Sequence, residues 1–466
     1  MTFYISQFFN VVFYKDSLVD HNRTPIVLVN VYYALSGYGE RLLTPPLGIA
    51  YLSEYLSERG VDHHVMDMGL GHTQDQIISR VKELNSGAIG FSINSLCMDR
   101  TITLIKSAKE TVPSLRIVAG GPHVSTLQEA LFSECPAIDY AIIGEGETSL
   151  FELLRGDPPE NIPGLIYRDA RGNMRVNQKR ITDNVDTLPF PKFEKFELDS
   201  YEDKSIPLLT SRGCPYKCIF CQQSSLLSKN WRGKSAEHFV EEIQYWIGRG
   251  YRTFQILDDN FAYDLQRLKA IQQLFLKHAI PPLTINIVGG VRVSGMTEEK
   301  LALLKSIGVE YISFGVESFS DEVLRFIRKG TTTGAIEDVV RLATGMGFKV
   351  RLFFIIGFPY ETRQSLEEMF SFIQRYPVYQ ARFFNLVPYQ GTALMDWIDA
   401  HGRMLYPYRE YMNNFKTYQD IPLFEAEHTM SVAERAQALE KARQLAENVH
   451  KRFLLSEQAE TMTSKE

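Results

Sequence analysis

The sequence predicts an α/β protein made of an amino-terminal doubly wound, Rossmann-like sheet, then an open, partial (β/α)6 barrel, then a helical carboxyl-terminal segment. Three observations carry this expectation. Short β-branched runs alternate with helical periodicity five times in the first part of the chain. The alternation resumes, six times, beyond a proline-broken stretch. At 466 residues the chain is also too long for one hydrophobic core. The expected units are residues 1–155, a connector over 156–200, a barrel over 201–401 and a mostly helical segment over 402–466.

In the first unit, residues 26–31 form a compact β-branched run of the kind a doubly covered parallel strand requires. Residues 47–59 carry apolar side chains at helical spacing and stop at Gly60. The same pairing of strand and helix follows at 64–67, 88–93, 116–120 and 140–143. In such sheets ligands bind at the carboxyl ends of the strands. There the chain places Gly120-Gly-Pro-His123 and Gly144-Glu-Gly-Glu147, glycines that let a bulky ligand approach the backbone. In the connector, Leu165 to Tyr167 and Met174 to Val176 flank a turn as a small hairpin, within an ordered bridge.

In the barrel unit the expected strands are 206–210, 253–257, 283–288, 311–316, 350–356 and 382–387. Helices follow, such as 236–247 capped by Ser235 and 301–307 after Thr297. Active-site groups of such barrels lie at the carboxyl ends of the strands. In the last segment Ser431 and Glu434 form a capping box opening a helix through Leu454, with a frayed polar end. The tyrosines around residues 406–418 suit a cavity wall and ordinary packing equally.

Directly after the first barrel strand come Cys214, Cys218 and Cys221. Structural zinc takes four protein ligands, whereas three close cysteines without a fourth leave a metal position open for chemistry. An incomplete zinc knuckle and three packed thiols are the alternative readings. Cys97 and Cys135 lie far apart in apolar segments and suit core packing. Five cysteines make no disulfide framework, which points to a reducing cytoplasm.

The formal charge of −6, with both signs interspersed, provides no broad basic field for nucleic acid. No run is long and apolar enough to span a bilayer. The aromatic stretch Phe3 to Tyr14 lacks the basic lead and the cleavage site of a signal peptide.

The Cys-x3-Cys-x2-Cys spacing, with Phe220 before the last cysteine, resembles the radical S-adenosylmethionine (SAM) superfamily. That resemblance implies a 4Fe-4S cluster held by Cys214, Cys218 and Cys221, with a unique iron that chelates S-adenosylmethionine. The two glycine loops ahead of it resemble the cobalamin-binding domain of a large subfamily. Gly120, Gly121, Pro122 and His123 would then lie along cobalamin, with Gly144 and Glu145 in the second loop and Ser92 and Ser95 near the nucleotide tail. The Asp-x-His-x-x-Gly signature that supplies a cobalt ligand elsewhere is absent, since Asn30 is followed by Val-Tyr-Tyr-Ala-Leu35. Cobalamin without a histidine ligand, or loss of the cofactor, would each follow from that.

By the same resemblance Asp258 and Asp259 would meet the SAM amino group, with helix capping as the alternative, and Glu317 and Ser318 its ribose and methionine portions; Arg292, after the third strand, suits a pair with the SAM carboxylate and an ordinary surface salt bridge nearly equally. Ile355 and Gly357 would pack on adenine. The expected activity is methylation of an unactivated carbon or phosphorus centre of a small molecule, driven by a 5′-deoxyadenosyl radical and methylcobalamin. An electron donor such as flavodoxin or ferredoxin would feed the cluster. A cyclase, a ring-contracting enzyme and a non-enzymatic corrinoid or iron-sulfur carrier are the alternatives; no residue is assigned a catalytic role and no substrate is named.

Overall fold

The computed structural model describes residues 25–32, 44–223 and 230–463. The Phe3 to Tyr14 stretch and the residues Tyr33 to Leu35 lie outside them. In the first sheet β1 (Ile26–Asn30), β2 (His63–Asp67), β3 (Ala88–Ser92), β4 (Arg116–Gly120) and β5 (Tyr140–Ile142) run parallel in the order β2-β1-β3-β4-β5. Ile26 to Val29 are all buried, as strands covered on both faces demand. One core joins Val27, Ile77, Ile102 and Leu131, and another joins Leu28, Ile49, Leu150 and Leu153, so each sheet face has its own apolar layer.

The connector's hairpin forms, but as part of the first sheet. Strands β6 (Leu165–Arg168) and β7 (Met174–Val176) add to β5 in antiparallel fashion. Otherwise β5 would present an unpaired edge, and the hairpin satisfies its backbone groups.

The second sheet takes β8 (Ile206–Leu208), then β11 (Thr253–Ile256), β12 (Thr284–Arg292), β13 (Val309–Glu317), β14 (Lys349–Ile356) and β15 (Gln380–Asn385), all parallel and in sequence order. A two-residue ribbon, β9 (Ser211–Arg212) with β10 (Arg232–Gly233), brackets the cysteine segment. Ser235 and Thr297 cap the expected helices by accepting from His238 N and Lys300 N.

The last segment differs from expectation in two ways. It contains an antiparallel pair, β16 (Gly402–Met404) and β17 (Phe424–Ala426). Its final helix also runs Val432–Thr463, beyond Leu454. Glu434 closes the expected capping box by accepting from Ser431 N at 2.8 Å. The helix lies against β15, the strand at the sheet's far edge, and Arg452 donates to the carbonyls of Gln374 and Tyr376. Among the described residues no helix is long and apolar enough to cross a membrane.

Candidate functional site

The cysteine segment leaves β9 through Gly213, whose φ of 82° suits glycine. Backbone hydrogen bonds pin it from two sides: Ile219 N donates to Ile327 O, and Leu394 N donates to Ile219 O. Cys218 is buried, while Cys214 and Cys221 are partly exposed. Burial pushes the Cys214 thiol up and that of Cys221 up to about 11.

Among the described residues no three His, Cys, Asp or Glu side chains are gathered tightly enough for one metal ion. Cysteines on a four-iron cluster bind different irons and sit wider apart than the ligands of a single tetrahedral zinc. The donor set fits the cluster: three thiols on one pinned loop and a buried cation, Arg292, donating from Nη1 to Cys218 Sγ at 3.3 Å. Phe220 packs edge-on against Phe358.

The two adjacent aspartates part company. Asp258 is fully buried and accepts from Thr210 N, Thr210 Oγ1 and Ser211 Oγ at 2.6 to 2.7 Å. This corrects its expected contact with the SAM amino group, because its oxygens already tie the end of β8 to β11. Asp259 instead lines a cavity shared with Gly120, Gly121 and Glu145 of the first sheet, and burial with the neighbouring Asp258 pushes its carboxyl up to about 6. Asp258→Asn should therefore cost about 1–3 kcal/mol in denaturant melts by orphaning buried donors, with SAM affinity kept. Asp259→Ala should do the reverse, and equal effects of the two changes would refute the division.

Glu317 ends β13 at a bulge with φ of 68° and pairs with Lys329 Nζ at 2.7 Å, so a cation already occupies the carboxylate expected at the cofactor. Ser318 is buried beside it. Arg292 lies at the cysteine loop. A Cβ on Gly357 would abut Arg435 and Leu386, and Gly357 N donates to Glu361 Oε2 at 2.7 Å. That side of Gly357 therefore faces protein, not adenine; Ile355 is half-buried beside it on β14.

Burial pushes Glu361 up to about 8, with the Gly357 bond and Arg435 opposing. The folded state then holds a proton that the unfolded chain releases near its ordinary carboxyl value. Stability should consequently fall as pH rises from about 4.5 to 8, by about 1.4 kcal/mol per pH unit. Glu361→Gln should flatten that part of the melting profile, and an unchanged slope would rule the linkage out.

At the carboxyl ends of the first sheet Gly121 has φ of 100°, and a Cβ there would meet Ile93 O at 2.8 Å and Ile93 N at 2.9 Å. Only glycine allows this close turn. Gly120, Gly121, Pro122, Ser92 and Glu145 line a cavity of about 430 Å³ that Arg212, Leu257 and Asp259 close from the barrel side. The two sheets thus present their carboxyl ends to one shared space. His123 is the correction here: it does not line that cavity. Its Nδ1 shares a hydrogen bond with Ser95 Oγ at 2.9 Å, and Nε2 lies 3.9 Å from Glu134. Burial, with Arg409 adding, pushes it down to about 4, so it stays neutral. Ser95 is thereby engaged with His123, and Gly144, at φ of 80°, bridges to Arg180, away from the cavity wall.

Sequence reasoning missed the ions that join the halves. Arg212 meets Glu147 Oε1 at 2.5 Å and Glu145 Oε2 at 3.7 Å, while Arg232 holds Glu145 Oε1 at 2.6 Å. Burial works against charge on Arg212, but Glu147 and Glu145 outweigh it and raise its affinity for the proton. Burial likewise opposes charge on Glu145, yet Arg232 and Arg212 hold its carboxyl below the usual range. Two acidic residues in a glycine loop were the available signal, since buried carboxylates need cations.

Residues 208–373 match the Radical SAM superfamily and residues 41–154 match the B12 binding domain. An uncharacterized methyltransferase of Pyrococcus horikoshii is 33% identical over 399 residues, covering 83% of this chain and 84% of the relative. An anaerobic magnesium-protoporphyrin IX monomethyl ester cyclase of Synechocystis is 27% identical over 324 residues, covering 64% and 62%. Among solved structures, the cobalamin-dependent S-adenosylmethionine radical enzyme OxsB, with aqua-cobalamin and S-adenosylmethionine bound, superposes with a TM-score of 0.67 at 21% identity. The match covers 88% of this chain and 57% of OxsB, so the chain spans little more than half of that enzyme, and the likeness is one of fold.

Proposed function

The chain belongs to the radical SAM superfamily and carries a B12 binding domain ahead of its barrel, and from that premise we propose that it methylates a small-molecule intermediate at an unactivated carbon or phosphorus centre. The observation that carries this reading is the single cavity onto which Gly120 to Pro122 open from one sheet and Asp259 and Arg212 from the other. Methylation of this kind needs a radical source and a methyl donor within reach of one substrate.

When bound, the 4Fe-4S cluster, S-adenosylmethionine and cobalamin supply the radical and the methyl group. Cys214, Cys218 and Cys221 would hold the cluster, and the tight turn that only glycine allows at Gly121 would let the Gly120 to Pro122 backbone at the cavity wall hold the corrin. Asp259, the rim carboxylate left facing the cavity, would orient the cofactor's ammonium. Apolar walls from Leu28, Ile49, Phe91 and Leu150 keep bulk water from the reacting centre. A one-electron donor such as flavodoxin or ferredoxin and a cytoplasmic location complete the reading.

Methyl-labelled S-adenosylmethionine tests it with anaerobically prepared enzyme. Label should enter the product, with one 5′-deoxyadenosine and one S-adenosylhomocysteine formed per turnover. The cyclase relative favours a second reading. Turnover that yields 5′-deoxyadenosine, unlabelled product and no S-adenosylhomocysteine would establish that one instead.

A further inference from the structure

Resting on the cluster reading above, we propose that Arg292 sets the reduction potential of the cluster through Cys218, and does not serve the cofactor carboxylate. Three features of the fold bring its guanidinium to that sulfur. The β12–β13 register slips between Ile287 and Val291, around Gly289 and Gly290. A Cβ at Gly289 would collide with Asp258 O at 2.7 Å, and Gly290 has φ of 99°. Such a bulge re-aims the residues that follow, and Arg292 then points into the barrel. Gly330 leaves the space that Arg292 occupies, because a Cβ there would lie 2.9 Å from Nη2. Tyr216, inside the cysteine motif itself, offers its ring face 3.7 Å from the guanidinium carbon.

What Arg292 touches decides its role. Nη1 donates to Cys218 Sγ at 3.3 Å, and the side chain is buried. Among the described residues no carboxylate pairs with it; the nearby Glu317 is taken by Lys329, and Arg292 Nε has no acceptor. A buried cation without an anion is costly, and a thiolate-ligated cluster that gains negative charge on reduction supplies the missing counter-charge. The step is one electron passing from the reductant to the cluster. Arg292 keeps its protons throughout and contributes a donor and a field, which stabilise the reduced form over the oxidised one and raise the potential.

The experiment is a redox titration of the anaerobically reconstituted full chain, followed by the electron paramagnetic resonance of the reduced cluster. Arg292→Leu should lower the reduction equilibrium at least tenfold, about 59 mV for one electron, at unchanged iron and sulfide content and without S-adenosylmethionine present. Arg292→Lys should fall between the two. Gly330→Ala keeps every charge but displaces Nη2, and should shift the midpoint the same way by less, which covers the case in which Arg292→Leu loses its cluster. Equal midpoints across the variants, or weakened S-adenosylmethionine binding at an unchanged midpoint, would overturn the proposal in favour of the cofactor carboxylate. Wild-type protein unable to hold iron would instead remove the cluster reading itself.

Discussion

Alanine at Cys214, Cys218 and Cys221 together is expected to leave a folded protein that holds no iron or sulfide and no longer cleaves S-adenosylmethionine. The fold should survive because the loop is anchored by backbone, through Ile219 N to Ile327 O and Leu394 N to Ile219 O, and these bonds do not involve sulfur. Cys218 Sγ makes only weak sulfur contacts, donating to Arg328 O at 3.8 Å and accepting from Arg292 Nη1 at 3.3 Å, and their loss should be small beside the backbone anchoring. Loss of the cluster should be complete, because an open cluster has no spare protein ligand and no other cysteine is near; Cys97 and Cys135 belong to the core of the first sheet. Iron and sulfide analysis with circular dichroism separates the two effects. A triple variant that keeps its iron would sink the assignment, and one that unfolds would show that the loop needs its sulfurs for structure.

The parts of this site legible in the sequence were those fixed by local chemistry. Cysteine spacing, the glycine turn at Gly121 and the caps at Ser235 and Thr297 each depend on a few neighbouring residues. Their types at those positions admit few alternatives. What could not be read depends on which way a side chain turns at a strand end. Asp258 and Asp259 are adjacent and alike, yet one closes on Thr210 and Ser211 while the other faces the cavity. Strand alternation sends neighbours to opposite sides, but the register that decides which is which comes from tertiary pairing. His123 follows the same logic, since its loop does line the cavity while its ring turns to Ser95. The connector's hairpin was recognisable as a hairpin. Its membership of the first sheet was not, because edge pairing with β5 is a long-range contact.

Arg212→Met is expected to destabilise the protein by about 3–5 kcal/mol, the scale for removing one partner of a buried ion pair. Arg212 pairs with Glu147 across the two sheets, and the side chains are 12% and 7% exposed. Without it Glu147 stays buried, while Glu145 retains Arg232. The double variant Arg212→Met with Glu147→Gln removes the stranded charge and should recover most of the loss, a coupling that a double-mutant cycle of urea melts measures directly. Because Arg212 stands two residues before Cys214, and Glu145 and Glu147 lie at the end of the first sheet's glycine loop, the pair is expected to set the gap between that loop and the cysteine loop as well. The rescued double variant should therefore fold well and bind its cluster, yet release more 5′-deoxyadenosine per methylated product than the wild type. Additive effects in the cycle would show that the two residues do not sense each other, and an unchanged product ratio would show that their contact holds the halves together without setting that gap.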